Sequence, residues 1–457
     1  MAGNANNLSK MWKLLGEKMD IEPPVPFHET IYLGCQQYDV ELPKQIIAER
    51  SALITDVLSP SAHSTAVNAM RGVTETSSKL QKAPNAGGDS TQKAARGDSV
   101  PETKAWIYNM EGHAKQCVQR YLELSNKDVS SLKPVATPCI DDHQFAPEDF
   151  TTKGELAPVA SRIVLKALYL ARMNRLDILW TINNLARKVT KWDVSCDKRL
   201  HRLISYMHHH GDLVQLNWVG DKPEDCRIAL FVDASFAGEI EDSKSTTGAI
   251  LVLIGPNTFV PLFWLCKKQG AVSHSSSEAE VIALEAALRT EGIPALNLWE
   301  EILEMFSKDK TVGSDSKPDL KAAPKDEDQI IQDILASVDY VPKTIPRSNG
   351  KAKILCLEDN EAVIKMTIKG RSPSMRHLSR THRVDLDWLF ERFRDDPGVS
   401  IKYINTKIQI ADILTKGSFT AEMWNKLQGL SSIVQMNALK IKTNKLQEAT
   451  PCQVNPK

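Results

Sequence analysis

Four carboxylates stand out by where they fall in the chain. Asp233 closes the apolar run RIALFVDAS, Glu280 lies in the opening turns of SHSSSEAEVIALEAALRTEG, Asp359 follows KILCLE, and Asp412 sits in QIADILTKG. Each has an ordinary account by itself: a turn aspartate, an acidic residue at a helix N-terminus, or an N-cap, a role that Asp359 or Asn360 could fill. Glu280 fits that account worst. It shares a helical stripe with Ala283, Leu284, Ala287 and Leu288, which turns its carboxylate toward the core. Glu278 shares its stripe with Glu285 and Arg289 and is expected to meet water. Four carboxylates brought together would repel, and such a cluster persists only with bound cations. Oxygen donors favour Mg²⁺, with Mn²⁺ as a substitute, whereas zinc would want His or Cys. Two such ions about 4 Å apart would activate a water and stabilise the leaving oxygen in phosphodiester hydrolysis. No side-chain nucleophile is needed.

The elements that must position these residues read as follows. In RIALFVDAS, Ile228, Leu230 and Val232 point one way and Ala229, Phe231 and Asp233 the other, so both faces are apolar and the strand is central. Its C-terminal end is where open α/β sheets place ligands. GAILVLIG and FVPLFWLC read as further strands, and a helix is expected from about Ser277 to Phe306. After a polar stretch come strand KILCLE, helices NEAVIKMTI and HRVDLDWLFERF, strand VSIKYI, and a final helix IQIADILTK stopped by Gly417. Strands followed by alternating helix and strand imply a mixed sheet with helices on its faces. Upstream, 1–58 reads as folded and 101–220 as mostly helical, with Val164, Ala167, Leu168 and Ala171 forming one stripe. Residues 59–100 have the composition of a disordered linker, 307–350 read as an inserted flexible linker, and 431–457 as a C-terminal tail.

The 457 residues carry 57 basic and 57 acidic side chains, so net charge neither suggests nor excludes a nucleic-acid partner. The eight cysteines form no C-x-x-C pair and are expected to be reduced thiols in an intracellular, soluble protein. Whether that protein resides in a cytoplasmic particle or the nucleus stays open. No apolar run approaches the roughly 18 residues that a membrane span needs, so no membrane partner is expected. The densest basic stretch, KGRSPSMRHLSRTHR, offers Lys369, Arg371, Arg376, His377, Arg380, His382 and Arg383 as phosphate contacts, with a solvated charged loop as the equal alternative. Lys267, Lys268, Ser235 and Ser276 are weaker candidates. Asp141 and Asp142 in CIDDHQF read as a solvated turn, His208 to His210 as a polar helix end, and Asp385 as the partner of a nearby Arg, with a fifth acidic neighbour of the cluster as the alternative.

At the carboxylates the wording resembles the ribonuclease H domain of Ty1/copia-type retrotransposon polyproteins. The stretches that carry the resemblance are DASFAGEIEDSKSTTGAI, CKKQGAVSHSSSEAEVIAL, EDNEAVIK, THRVDLDWLFER and ADILTKG. It extends upstream through LKPVATPC and through ELAPVASRIVLKALYLARMNRLDILWTINNLARKVT, where Leu176 stands in place of the family's proline. The resemblance implies an α/β fold: a ribonuclease H-like mixed five-stranded sheet with flanking helices over 226–306 and 351–430. A reverse-transcriptase palm remnant (1–58) and a helical thumb- or connection-like region (101–220) would precede it. It assigns Asp233, Glu280, Asp359 and Asp412 as metal-binding catalytic residues for two Mg²⁺ ions. The activity implied is hydrolysis of the RNA strand of RNA–DNA hybrids, alone or as part of a longer polyprotein. Polymerase activity is not expected, because the Tyr-x-Asp-Asp turn would lie before Met1. The loop INTKIQI lacks the His that many ribonucleases H carry there. The alternative is a catalytically inactive retroelement remnant that binds nucleic acid.

Overall fold

The computed structural model describes residues 5–21, 31–60, 103–237, 243–306, 347–370, 375, 377–382 and 384–442. Most of the two expected linkers therefore lies outside the described residues. The chain divides into two compact units, one of Met1–Ile47, Lys104–Trp218 and Ser432–Lys457, the other of Ala48–Thr103 and Val219–Ser431. No helix among the described residues is long and apolar enough to cross a membrane. The seven described cysteines are free thiols.

In the first unit, helices Glu111–Ser125, Ala160–Met173, Leu179–Arg187 and Val194–His209 accompany short strands. Gln36–Glu41 pairs antiparallel with Lys104–Asn109, and Leu213–Val219 pairs antiparallel with Ile433–Gln435. The segment expected to open a tail thus supplies strands instead, because Ile433 is buried against the sheet. Arg175 and Asp177, flanking Leu176, form a fully buried bidentate pair at 2.8 Å, and the Tyr206 hydroxyl donates to Asp177 at 2.9 Å. Asp141 and Asp142 do lie in a turn, but half-buried rather than solvated. Asp141 accepts from the His143 amide, and Asp142 is ion-paired with Arg199. His209 and His210 end their helix on backbone carbonyls of Leu132 and Tyr206.

Among its described residues the second unit holds five strands: β1 (Arg227–Ser235), β2 (Thr246–Gly255), β3 (Thr258–Lys268), β4 (Ile354–Glu358) and β5 (Val399–Tyr403). They run in the order β3-β2-β1-β4-β5. The first three are antiparallel, and β4 and β5 join parallel to β1. β1 is central and buried along nearly its whole length, as two apolar faces require. Against Ile228, Leu230 and Val232 pack α1 (Ser276–Ala287), through Ala279, Ala283 and Ala287, and α3 (Glu361–Lys369), through Val363 and Ile364. α1 runs through a π-helical turn, Leu288–Gly292, into α2 (Ile293–Phe306), just before Pro294, which has no N–H to continue an α-ladder. α4 (Leu378–Thr381) and α5 (Leu386–Asp395) precede β5, and α6 (Ala421–Leu430) follows it.

Two expectations are corrected here. Asp412 sits in a five-residue 3₁₀ segment, Ile410–Leu414, and α6 follows, so IQIADILTK is not the last helix. The Gln409 side chain accepts from the Ala411 amide and caps that short turn. Asp385 caps α5 by accepting from the Trp388 amide at 2.9 Å, in place of the expected pairing with an Arg.

Candidate metal centre

β1 and β4 are adjacent and parallel, so their C-terminal ends emerge side by side. Asp233 lies near one end and Asp359 directly follows the other. Ser275 caps α1 by accepting from the Glu278 amide, and this starts the helix where Glu280 faces the strand ends. The carboxylate oxygens of Asp233, Glu280 and Asp359 lie within 4.8 Å of one another. Asp359 is free to face this centre because Asn360 takes the cap of α3, its side chain accepting from the Ala362 amide at 3.0 Å. Asn360 Nδ2 also reaches Ser277 Oγ at 3.4 Å, tying the starts of α3 and α1 together.

Asp412 joins from the other side. Gly248, paired with Asp233 across β1 and β2, has no side chain to hold the 3₁₀ segment away. A Cβ there would stand 2.5 Å from Thr415 Cγ2 and 3.1 Å from the Ala411 carbonyl. That approach lets the Thr415 hydroxyl donate to Asp233 Oδ2 and brings Asp412 beside Asp233. Gln409, fully buried, donates to the Val232 carbonyl at 2.8 Å and the Leu357 carbonyl at 3.3 Å, pinning the segment to both strand ends. Lys416 Nζ stands 2.7 Å from Asp412 Oδ2 and 3.8 Å from Asp233 Oδ1.

Glu358 is a fifth carboxylate that the sequence reading missed. It is fully buried at the end of β4, with Oε2 lacking a hydrogen-bond partner among the described residues. Strand alternation carried the signal, since Ile354, Cys356 and Glu358 share a face whose other members are apolar.

Burial, more than anything else, pushes these groups up. Desolvation and then the charges of Glu358, Asp233 and Asp359 raise Glu280 well above the ordinary range. Glu358 is raised in the same way by desolvation and then Asp359. Desolvation raises Asp233, with Lys416 and the Thr415 hydroxyl opposing. Desolvation and then Asp233 raise Asp412 to about 7. Lys416 is raised although desolvation opposes it, because Asp233 and Asp412 favour its charged form. Two like charges 4 Å apart cost about 4 kcal/mol at an effective dielectric of 20. Three such pairs would match the whole stability of a domain, about 5–15 kcal/mol. The cluster therefore holds protons or cations. Among the described residues, Glu280 Oε2 and Asp412 Oδ1 are buried without hydrogen-bond partners, as oxygen ligands of a cation would be. The residues present fit hard divalent ions.

The proposed nucleic-acid contacts fare unevenly. Lys369 is exposed at the end of α3. Arg371, Arg376 and Arg383, and the side chain of Arg380, lie outside the described residues. The His382 side chain is only 1% exposed and faces Glu278, which leaves it no surface from which to touch a phosphate. Glu278 and Glu285 correct a second expectation. Both are buried, not solvent-facing, because α1 is covered on all sides, with Arg289 paired to Glu285 and histidines around Glu278.

The fold and site together define a mixed α/β unit with carboxylates converging at adjacent strand ends. The chain is similar to retrotransposon Pol polyproteins, as the motifs implied. It is 28% identical over 160 residues to the retrovirus-related Pol polyprotein from transposon RE1 of Arabidopsis thaliana, and 27% identical over 162 residues to that from transposon RE2. Each match covers 34% of this chain, and the chain spans about a tenth of the length of these relatives. No protein-family model matches the chain, and no solved structure does.

Proposed function

We propose that the second unit is a ribonuclease H-like, divalent-metal-dependent endonuclease that hydrolyses the RNA strand of RNA–DNA hybrids. The observation that carries this reading is the meeting of Asp233, Glu280 and Asp359, with Asp412 beside them, at the ends of β1 and β4. The strand order, three antiparallel strands with two parallel ones added beside β1, and the likeness to Pol polyproteins support it.

Asp233, Glu280, Asp359 and Asp412 would hold two Mg²⁺ ions, with Glu358 close behind them. When bound there, such ions lower the pKa of a water and offset charge on the leaving oxygen. The chain's own residues supply position. Thr415 fixes Asp233, Gln409 holds the turn that carries Asp412, and Asn360 leaves Asp359 unencumbered. Lys416 balances part of the negative charge. Lys369, with Arg371, Arg376, Arg380 and Arg383 after it, would grip hybrid phosphates. Products would carry a 3′-hydroxyl and a 5′-phosphate.

The test is cleavage of a labelled RNA–DNA hybrid with and without Mg²⁺, beside a duplex DNA control. Metal-dependent, hybrid-specific products are expected, and Asp359→Asn should abolish them while leaving the circular dichroism spectrum unchanged. Full activity in that variant would refute the assignment. Hybrid binding without any products would favour the second reading, a nucleic-acid-binding retroelement remnant.

A further inference from the structure

The histidines around Glu278 belong to no step of the proposed hydrolysis. Glu278 and Glu280 are two residues apart on α1, so they leave the helix in nearly opposite directions. Glu280 faces the carboxylate centre, while the Glu278 carboxylate is enclosed by imidazoles. His377 Nε2 lies 3.3 Å from Glu278 Oε1, and His382 Nε2 lies 3.5 Å from the same oxygen. His274 brings a third ring. Its ligand atom, with those of Glu278 and His377, falls in one group within 4.8 Å, and its ring stands 5.4 Å from that of His377.

Helix capping accounts for part of this arrangement. Glu278 Oε2 accepts from the His274 amide at 3.1 Å, a capping contact at the start of α1. That contact leaves Oε1 facing the rings and does not explain why three imidazoles gather there. Nor does hydrogen bonding satisfy them all, since His382 Nε2 is buried in a side chain 1% exposed and has no hydrogen-bond partner among the described residues.

From this geometry we infer a second metal site, in which His274, His377 and Glu278 bind a zinc-class divalent ion, with His382 Nε2 set against the same Glu278 oxygen. Donors of a tetrahedral zinc site with bonds of about 2.0–2.1 Å lie roughly 3.3 Å apart, close to the 3.3 Å between His377 Nε2 and Glu278 Oε1. Two imidazole nitrogens and one carboxylate oxygen, with a fourth position left for water, suit zinc and suit Mg²⁺ poorly, the reverse of the all-oxygen centre on the other side of α1. The His274 amide holds the carboxylate from behind, as outer-shell partners of metal ligands do. Bound there, the ion would staple His377, just before α4, to the start of the helix that carries Glu280.

The test uses the full chain, stripped with chelator and reloaded with Zn²⁺ or Co²⁺ in excess Mg²⁺. One equivalent of zinc should be retained, and Co²⁺ should give the intense visible bands of a tetrahedral site. His274→Ala and His377→Ala, both at accessible positions, should each weaken retention by more than about 100-fold, beyond the roughly 10–100-fold that outer-shell changes alone produce. Asp359→Asn should leave zinc stoichiometry unchanged. Absence of retention and of the cobalt bands in the wild type would overturn the inference without any variant. So would retention that Asp359→Asn abolishes, or that survives both histidine substitutions.

Discussion

Asp412 and Lys416 set the behaviour of the carboxylate centre at the scale of single residues. With no divalent ion, the Asp412 carboxyl titrates near 7 because burial and then Asp233 disfavour its charge, against an ordinary value of about 4. A folded value above the unfolded one means that the native state holds the proton more tightly. Its contribution to stability is full below about pH 4 and is lost as pH climbs through about 7. Urea midpoints measured in chelator should therefore fall across that window, and Mg²⁺ should flatten the decline. A midpoint that rose from pH 4 to 7 would contradict the charge-crowded centre. Lys416→Met should lower the melting temperature in chelator more than in Mg²⁺, because the ammonium and the ions answer the same repulsion. At this scale Asp233 and Glu280 were legible in the sequence, since a carboxylate within an apolar pattern is rarely incidental. Glu278 was misjudged because a stripe predicts which residues share a face, and not what covers that face.

Two connections fix the elements around the centre, and neither shows in local sequence. Gln409 spans the carbonyls of Val232 and Leu357 from a turn that reads as helix in isolation. Gln409→Leu would leave two buried carbonyls short of a donor, at about 1–3 kcal/mol each, and let the turn carrying Asp412 drift. Urea unfolding should register that loss, and titration should show weaker Mg²⁺ binding. Unchanged Mg²⁺ affinity would mean that Asp412 does not depend on this clamp. Lys402, on β5, is buried, and its ammonium donates to the carbonyl and hydroxyl of Ser59 at 2.9 and 3.0 Å, with Asp56 and Val57 carbonyls also in reach. It thus closes the C-terminal end of helix Lys44–Leu58, where carbonyls have no partner of their own. Lys402→Met should cost roughly 1–3 kcal/mol of stability, read by chemical denaturation, with hybrid cleavage intact once folded.

For the whole molecule, bound ions act through mass action. Mg²⁺ at about 100 times its dissociation constant would stabilise the unit that holds it by about 2.7 kcal/mol. Hydrogen exchange should localise this effect. Amides of β1 and α1 should slow in Mg²⁺, while those of helix Val194–His209 should keep their rates. Equal slowing in both units would place the ions elsewhere.

The sequence by itself determined the strands, most helices and the candidate carboxylates, because periodicity, caps and a charge inside an apolar run are local properties. It could not decide that Asn360 and not Asp359 would cap α3, that Glu358 would be sealed beside the centre, or that three histidines would surround Glu278. Those outcomes depend on which surfaces meet. Residues more than a hundred positions apart become neighbours only when β1 and β4 pair and α1 is enclosed. Burial then shifts the buried carboxylates among them toward their protonated forms.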